Sequence, residues 1–222
     1  MSPIRRTVPR SHTSGPEVVR RFVGRENVRK RLAPLEGTPG STVYADGAVR
    51  IESETENLVV RPPFGLAHEG AYDHVHVEPL LAAIAEDHVV AALLVRLGGY
   101  AAGVFEGERL VASKVGTRFV KNRHKTGGSS ANRFRRRREE QARVLVDAAA
   151  DVAAVTLEPW RGRARFVALG GDRSAVDAVL ASRPDLAWLA DRALERFFTV
   201  VEPRRRVLER LPYDLYAVEL VT

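Results

Sequence analysis

HVVAALLVRLGGYAAGVFEGERLVASKV, residues 88–115, reads as three strands in succession. His88 to Leu97 is almost continuously apolar, the pattern of a strand buried on both faces. Gly98-Gly99 turns the chain, Tyr100 to Phe105 forms the second strand, and Glu106-Gly107-Glu108 makes a tight hairpin into the third, Arg109 to Val115. Downstream, Phe134, Ala142, Leu145, Val146, Ala149 and Val152 recur at helical spacing. Arg165 to Leu169 is a fourth strand, ended by Gly170-Gly171. Asp172 then caps a helix through Leu180 that Pro184 stops. Trp188 to Leu194 reads as helical, Phe197 to Val201 as a fifth strand, and Tyr213 to Val221 as a sixth. Three meandering strands, helix, strand, helix, strand predict an α/β domain: a ribonuclease H-like mixed sheet with flanking helices.

Upstream, residues 1–16 hold three Pro with many Arg, Ser and Thr, and are expected to be an arm. Glu17 to Leu32 reads as a short basic helix ended by Pro34, and EGTPGST at 36–42 as a linker. Thr42 to Ser53 alternates around Ala45-Asp46-Gly47, and Asn57 to Arg61 is a strand stopped by Pro62-Pro63. Pro79 to Glu86 reads as a helix with Leu80, Leu81 and Ile84 on one side. The expected division is a basic arm and helix over 1–40, a small N-terminal antiparallel β unit over 41–75, and the α/β domain over 76–222.

The 222 residues are 45% apolar and 28% charged, which argues against disorder, collagen and coiled coil. With no Cys there is no disulfide framework, cysteine zinc site or thiol nucleophile. No apolar run reaches membrane-spanning length and no secretory signal is recognisable, so a cytoplasmic setting without membrane contact is expected. The net charge of +7 is unevenly placed. Residues 114–143 carry eleven Lys/Arg against two Glu, and residues 1–31 carry nine against two. Two basic segments on an acidic remainder point to a polyanionic partner.

The chemistry concentrates in KNRHKTGGSSANRFRRRREEQ, residues 121–141. Gly127-Gly128 permits close backbone approach and positive φ. Ser129 or Ser130 suits an N-cap, and the N–H groups there suit a phosphate or a developing oxyanion. Arg133, Arg135, Arg136, Arg137 and Arg138 run all the way round the first helical turns, so this end must project from the sheet. Together with Lys121, Arg123, His124 and Lys125, they favour RNA phosphates. His124 would meet a phosphate or act as acid–base; loop solvation explains it equally.

The sequence GGSSANRFRRRREEQ resembles the Gly-Gly-Gln loop and following helix of archaeal and eukaryotic class I release factors, whose pattern is GGQSxxRFxRxR. The resemblance runs over about residues 88–200 and is closest to the bacterial, actinobacterial Vms-like release factors. It implies that 76–222 is a release-factor-like catalytic domain of ribonuclease H-like fold that acts on peptidyl-tRNA at the large ribosomal subunit, in contact with ribosomal RNA. It also implies Gly127, Gly128, Ser129 and Ser130 at the reacting centre. The family glutamine is absent: Ser129 stands in its place, and Ser130 where a Gly-Ser-Gln variant would have it. Ser129 keeps the backbone N–H and loses the amide that positions water. The resemblance implies codon-independent peptidyl-tRNA hydrolysis, with a tRNA 3′-end endonuclease or a catalytically weak ribosome-binding protein as alternatives. No cofactor is expected.

Three further groups draw attention. His68, Asp73, His74 and His76 are compact, and His74-x-His76 has a spacing that metal ligands take. Their surroundings, AHEGAYDHVHVEP, read as a loop, and no metal is expected. The strand VVAALLVRL has no carboxylate, which argues against two-metal nuclease chemistry. Trp160, Trp188, Phe197 and Phe198 are expected to pack in the core. Arg204-Arg205-Arg206 reads equally as a solvated turn and as an RNA contact.

Overall fold

The computed structural model describes residues 19–117 and 130–222, without the side chains of 130–135. It is a mixed α/β structure with two sheets. The first is built on the apolar strand β6 (Val89–Arg96), which pairs antiparallel with β7 (Gly99–Glu106) and parallel with β9 (Phe166–Gly171). An edge strand, β8 (Arg109–Thr117), completes the order β8-β7-β6-β9. Alternate residues of β6 face two separate cores, which is why the run is apolar throughout. Ala91, Leu93 and Val95 join α3 (Ser130–Leu157) and α4 (Arg173–Ser182). Val90, Ala92 and Leu94 join α6 (Arg205–Leu215) through Leu208, Leu211 and Leu215. Asp172 caps α4 as its sequence predicts, accepting the Ala175 N–H at 3.3 Å.

The second sheet is antiparallel, in the order β1 (Arg20–Gly24), β10 (Ala217–Val221), β4 (Asn57–Arg61), β3 (Ala48–Ser53), β2 (Pro39–Ala45), β5 (Gly70–His74). The hairpin of β2 (Pro39–Ala45) and β3 (Ala48–Ser53) turns on Asp46 (φ 53°) and Gly47 (φ 68°), the two positive φ values of a type I′ turn. β4 (Asn57–Arg61) has the expected bounds. α1 (Arg25–Leu32) and α2 (Glu78–Ala85) contribute Val28, Leu32, Leu80 and Ile84 to this sheet's core.

Several elements differ from expectation. The predicted helix over 17–32 begins instead with a strand, β1 (Arg20–Gly24), whose Phe22 is half exposed. Residues 70–74, read as loop, form the edge strand β5 (Gly70–His74) on β2. Phe197–Val201 makes only an isolated bridge, Gly170 to Phe198, rather than a strand. The stretch from Tyr213 divides: Tyr213 to Leu215 finish α6, and β10 (Ala217–Val221) enters the second sheet between β1 and β4. The C-terminal strand therefore locks the two sheets together. Trp188 to Leu194 is helical only within α5 (Ala187–Asp191).

The seam between the sheets is aromatic and charged. Arg25 lies 2.8 Å from both Asp87 Oδ1 and Glu108 Oε1, with its guanidinium 4.3 Å from the centre of the Tyr216 ring. Burial alone would lower the Arg25 pKa, but the Asp87 hydrogen bond and the two carboxylates raise it. Phe64 packs its ring against His88, Phe166 and Tyr216, and the Tyr216 hydroxyl accepts the His88 N–H at 3.1 Å.

Candidate nucleic-acid interface

α3 changes character along its length. From Leu145 onward it packs: Leu145, Ala149, Ala150, Ala153, Ala154 and Leu157 are buried at a spacing that keeps one face on the sheet. None of residues 136–144 is buried. The helix has 28 residues, about 42 Å at the usual rise, and its buried stretch covers only about 18 Å of that. Its C-terminal end adjoins Trp160 and the start of β9, where the Arg165 N–H bonds the Val89 carbonyl at 3.1 Å. The N-terminal half therefore extends past the opposite end of the sheet, where β8 ends at Thr117. Arg136, Arg137 and Arg138 are exposed there and form no ion pair with a described carboxylate.

The root from which the chain leaves β8 is closely packed. A Cβ on Gly116 would lie 2.3 Å from the Tyr100 ring, so this position needs glycine for Tyr100 to lie against the sheet. Gly99 pairs with Thr117 and faces the Gly116 and Pro203 carbonyls. Sequence reasoning missed this anchor, since a lone glycine near a strand end does not announce which ring it admits.

Of the residues singled out earlier, Lys121, Arg123, His124, Lys125, Gly127, Gly128 and Ser129 lie outside the described residues. Ser130 opens α3, and Arg133 and Arg135 are on it with side chains outside the description. Arg204 to Arg206 do not form a turn. They start α6, with Arg204 in the capping position.

The histidine group occupies the other sheet. His68 Nε2 lies 2.8 Å from the Tyr72 hydroxyl, His74 Nδ1 3.0 Å from Asp73, and His76 Nδ1 2.8 Å from Glu36. Burial alone would raise the Glu36 pKa; the His76 bond and the Val77 and Glu78 N–H groups outweigh it and hold the carboxyl below its usual range. That carboxylate thereby satisfies the open start of α2. Among the described residues, no three His, Asp or Glu are grouped to hold a metal ion. Trp188 and Phe198 are buried, Trp160 and Phe197 pack partly buried at the core margin, and the Trp188 indole N–H donates to Glu158 at 2.9 Å.

No curated protein matches the sequence. Among solved structures, the chain is similar to an archaeal translation termination factor, aRF1, at 12% identity and a TM-score of 0.42, over 87% of this chain and 73% of that one. A second similar structure is described only as an archaeal protein, at 13% identity and a TM-score of 0.32, over 88% and 74%. The family model of the Actinobacteria/chloroflexi VLRF1 release factor matches residues 88–221, from the start of β6 through β10. With more than half of its residues in that match, the chain belongs to the Actinobacteria/chloroflexi VLRF1 release factor family.

Proposed function

We propose that this release-factor family member is a codon-independent peptidyl-tRNA hydrolase that frees nascent chains from stalled large ribosomal subunits. The observation that carries the reading is the family match over 88–221, which runs through the whole 121–141 segment. The exposed arginines on the projecting half of α3 support it. In this reading residues 76–222 form the catalytic domain, of ribonuclease H-like fold, with 1–40 and 41–75 as accessory parts whose strands share one sheet with β10. The protein works at the ribosome in the cytoplasm and uses no metal or cofactor.

Gly127, Gly128, Ser129 and Ser130 enter the peptidyl transferase centre. Water attacks the ester carbonyl joining the peptide to the tRNA 3′ end, and the Ser129 N–H stabilises the developing oxyanion. The C–O bond to the tRNA then breaks, giving a peptide carboxylate and a free 3′-hydroxyl. One oriented donor of this kind is worth about 10²–10³ in rate. Lys121, Arg123, His124, Lys125, Arg133, Arg135, Arg136, Arg137 and Arg138 bind tRNA or ribosomal RNA phosphates.

The test is incubation with purified large subunits carrying peptidyl-tRNA, followed by analysis of both products. Released peptide with an intact tRNA CCA end supports ester hydrolysis. A shortened tRNA identifies a 3′-end endonuclease instead. Binding without either product identifies a ribosome-binding protein that has lost catalysis. The serines standing where the release factors carry glutamine favour this last alternative.

A further inference from the structure

We infer that Arg204, Arg205 and Arg206, joined by Arg96, form a second RNA-phosphate contact on the face of the four-stranded sheet opposite α3. The inference rests on the RNA-facing reading of the α3 end and extends it to a surface that reading does not use.

Topology brings this surface to the same end of the sheet. β6 ends at Arg96, and the turn that follows leads to Gly99, the partner of Thr117 at the end of β8. The chain returns to this end beyond Phe198, which bridges the last turn of β9 at Gly170. Arg96 reaches across to donate to the Val200 carbonyl at 2.8 Å. The Pro203 carbonyl lies 3.7 Å from the Cβ position of Gly99. α6 then descends the sheet face of Ala92 and Leu94, whereas α3 packs on the face of Leu93 and Val95. Two arginine runs about 70 residues apart in sequence thus flank one strand end from opposite faces.

Packing does not explain the second run. α6 is held by Leu208, Leu211 and Leu215, and Gly103 admits Leu208 to within 3.2 Å of where its Cβ would stand. Arg96, Arg204, Arg205 and Arg206 are all exposed. Arg204 bonds Glu202 and Arg205 bonds Glu209, whereas Arg206 has no carboxylate partner among the described residues. Besides Glu202 and Glu209, the described carboxylate that bears on this group is Asp172, which is occupied in capping α4 and lowered in pKa by its Ser174 and Ala175 hydrogen bonds and by the charge of Arg96. Four guanidinium groups against three carboxylates, with Arg206 unpaired among the described residues and the group flanking a segment read as RNA-facing, match a phosphate backbone.

The test is the salt dependence of binding by the full chain to purified large ribosomal subunits and, separately, to tRNA alone. The variants are wild type, Arg205→Glu with Arg206→Glu, and Arg206→Lys. Glutamate in the first turn of a helix is compatible with the fold, and an unchanged melting temperature checks this. The double reversal should lower the slope of log affinity against log salt by about 1 to 2 and weaken binding at least tenfold at low salt, while Arg206→Lys stays near wild type. A fall on tRNA alone places the contact on tRNA; a fall confined to subunits places it on ribosomal RNA. An unchanged slope on both overturns the inference, whether or not the wild type releases peptide. A reduced slope in a protein that releases no peptide supports the inference and removes the hydrolase reading alone.

Discussion

The two ends of the four-stranded sheet are both rich in arginine and differ in how much of it is paired. At the hairpin end Arg25, Arg109, Arg161, Arg163 and Arg192 each have a polar partner. Arg109 and Arg163 each lie 2.6 Å from Glu106, and Arg163 also covers the Trp160 ring. Arg161 pairs with Glu158, Arg192 donates to the Arg161 and Ala164 carbonyls, and Arg25 bridges Asp87 and Glu108. At the far end Arg204 and Arg205 pair with Glu202 and Glu209, whereas Arg136, Arg137, Arg138 and Arg206 stand exposed and form no ion pair with a described carboxylate. The residue type is the same; what separates a structural arginine from one available to a polyanion is whether the fold supplies its counter-charge.

If that division is real, the largest effect on stability belongs to the packed half of α3. Leu145→Ala should destabilise by about 2–5 kcal/mol, read as a lower midpoint in denaturant, because the buried side chain leaves a cavity. Arg137→Ala should change stability by no more than about 0.5 kcal/mol. Equal effects would mean that the arginine half packs after all. The reverse ranking is expected for RNA. Arg136→Glu with Arg137→Glu should weaken large-subunit binding strongly at low salt and reduce the salt slope by roughly 2.

A smaller, pH-dependent effect is expected at the closed end. Burial pushes the His88 pKa below 6.5; Arg165 pushes the same way and Glu86 and Asp87 oppose it. The unfolded chain then binds more protons than the folded one, so the stability from neutral His88 is complete above about pH 6.5 and declines as pH falls through that value. Thermal melts from pH 7.5 to 5 should show this decline, and His88→Leu should flatten it. A His88→Leu profile parallel to wild type would place the titrating group elsewhere. The smallest effect should be Arg163→Ala: about 1 kcal/mol or less, since the pair is exposed, and no loss of RNA affinity. A loss as large as that at the other end would erase the contrast.

Much of this architecture is legible in the sequence where local pattern and tertiary role agree. The meander of β6, β7 and β8, the bounds of β4 and the Asp172 cap all announce themselves through apolar runs, turn residues and a capping side chain. β5 does not, because Gly70-Ala71-Tyr72-Asp73-His74 has no apolar alternation and is held at the edge by backbone pairing to β2. Thr42 adds to that hold, bonding the His74 carbonyl and the His76 N–H. α6 hides behind its arginines and Pro212, and β10 looks like a sixth strand of the wrong sheet because its partners, β1 and β4, are far away in sequence. For the site, the encircling arginines correctly indicate a helix end that cannot pack. The arrival of Arg204–Arg206 at the same end of the sheet depends on the path of the chain after β9, which no local pattern encodes.

The most direct test of the proposed hydrolase is peptide release from stalled large subunits by wild type, Ser129→Ala and Gly128→Ala, with subunit binding measured in parallel. If a backbone donor acts on the ester, Ser129→Ala keeps most of the activity. Gly128→Ala should then lose at least about 100-fold while still binding, because a Cβ obstructs both close approach and positive φ. Release by Gly128→Ala at the wild-type rate would contradict the account and place the reacting centre outside the double glycine.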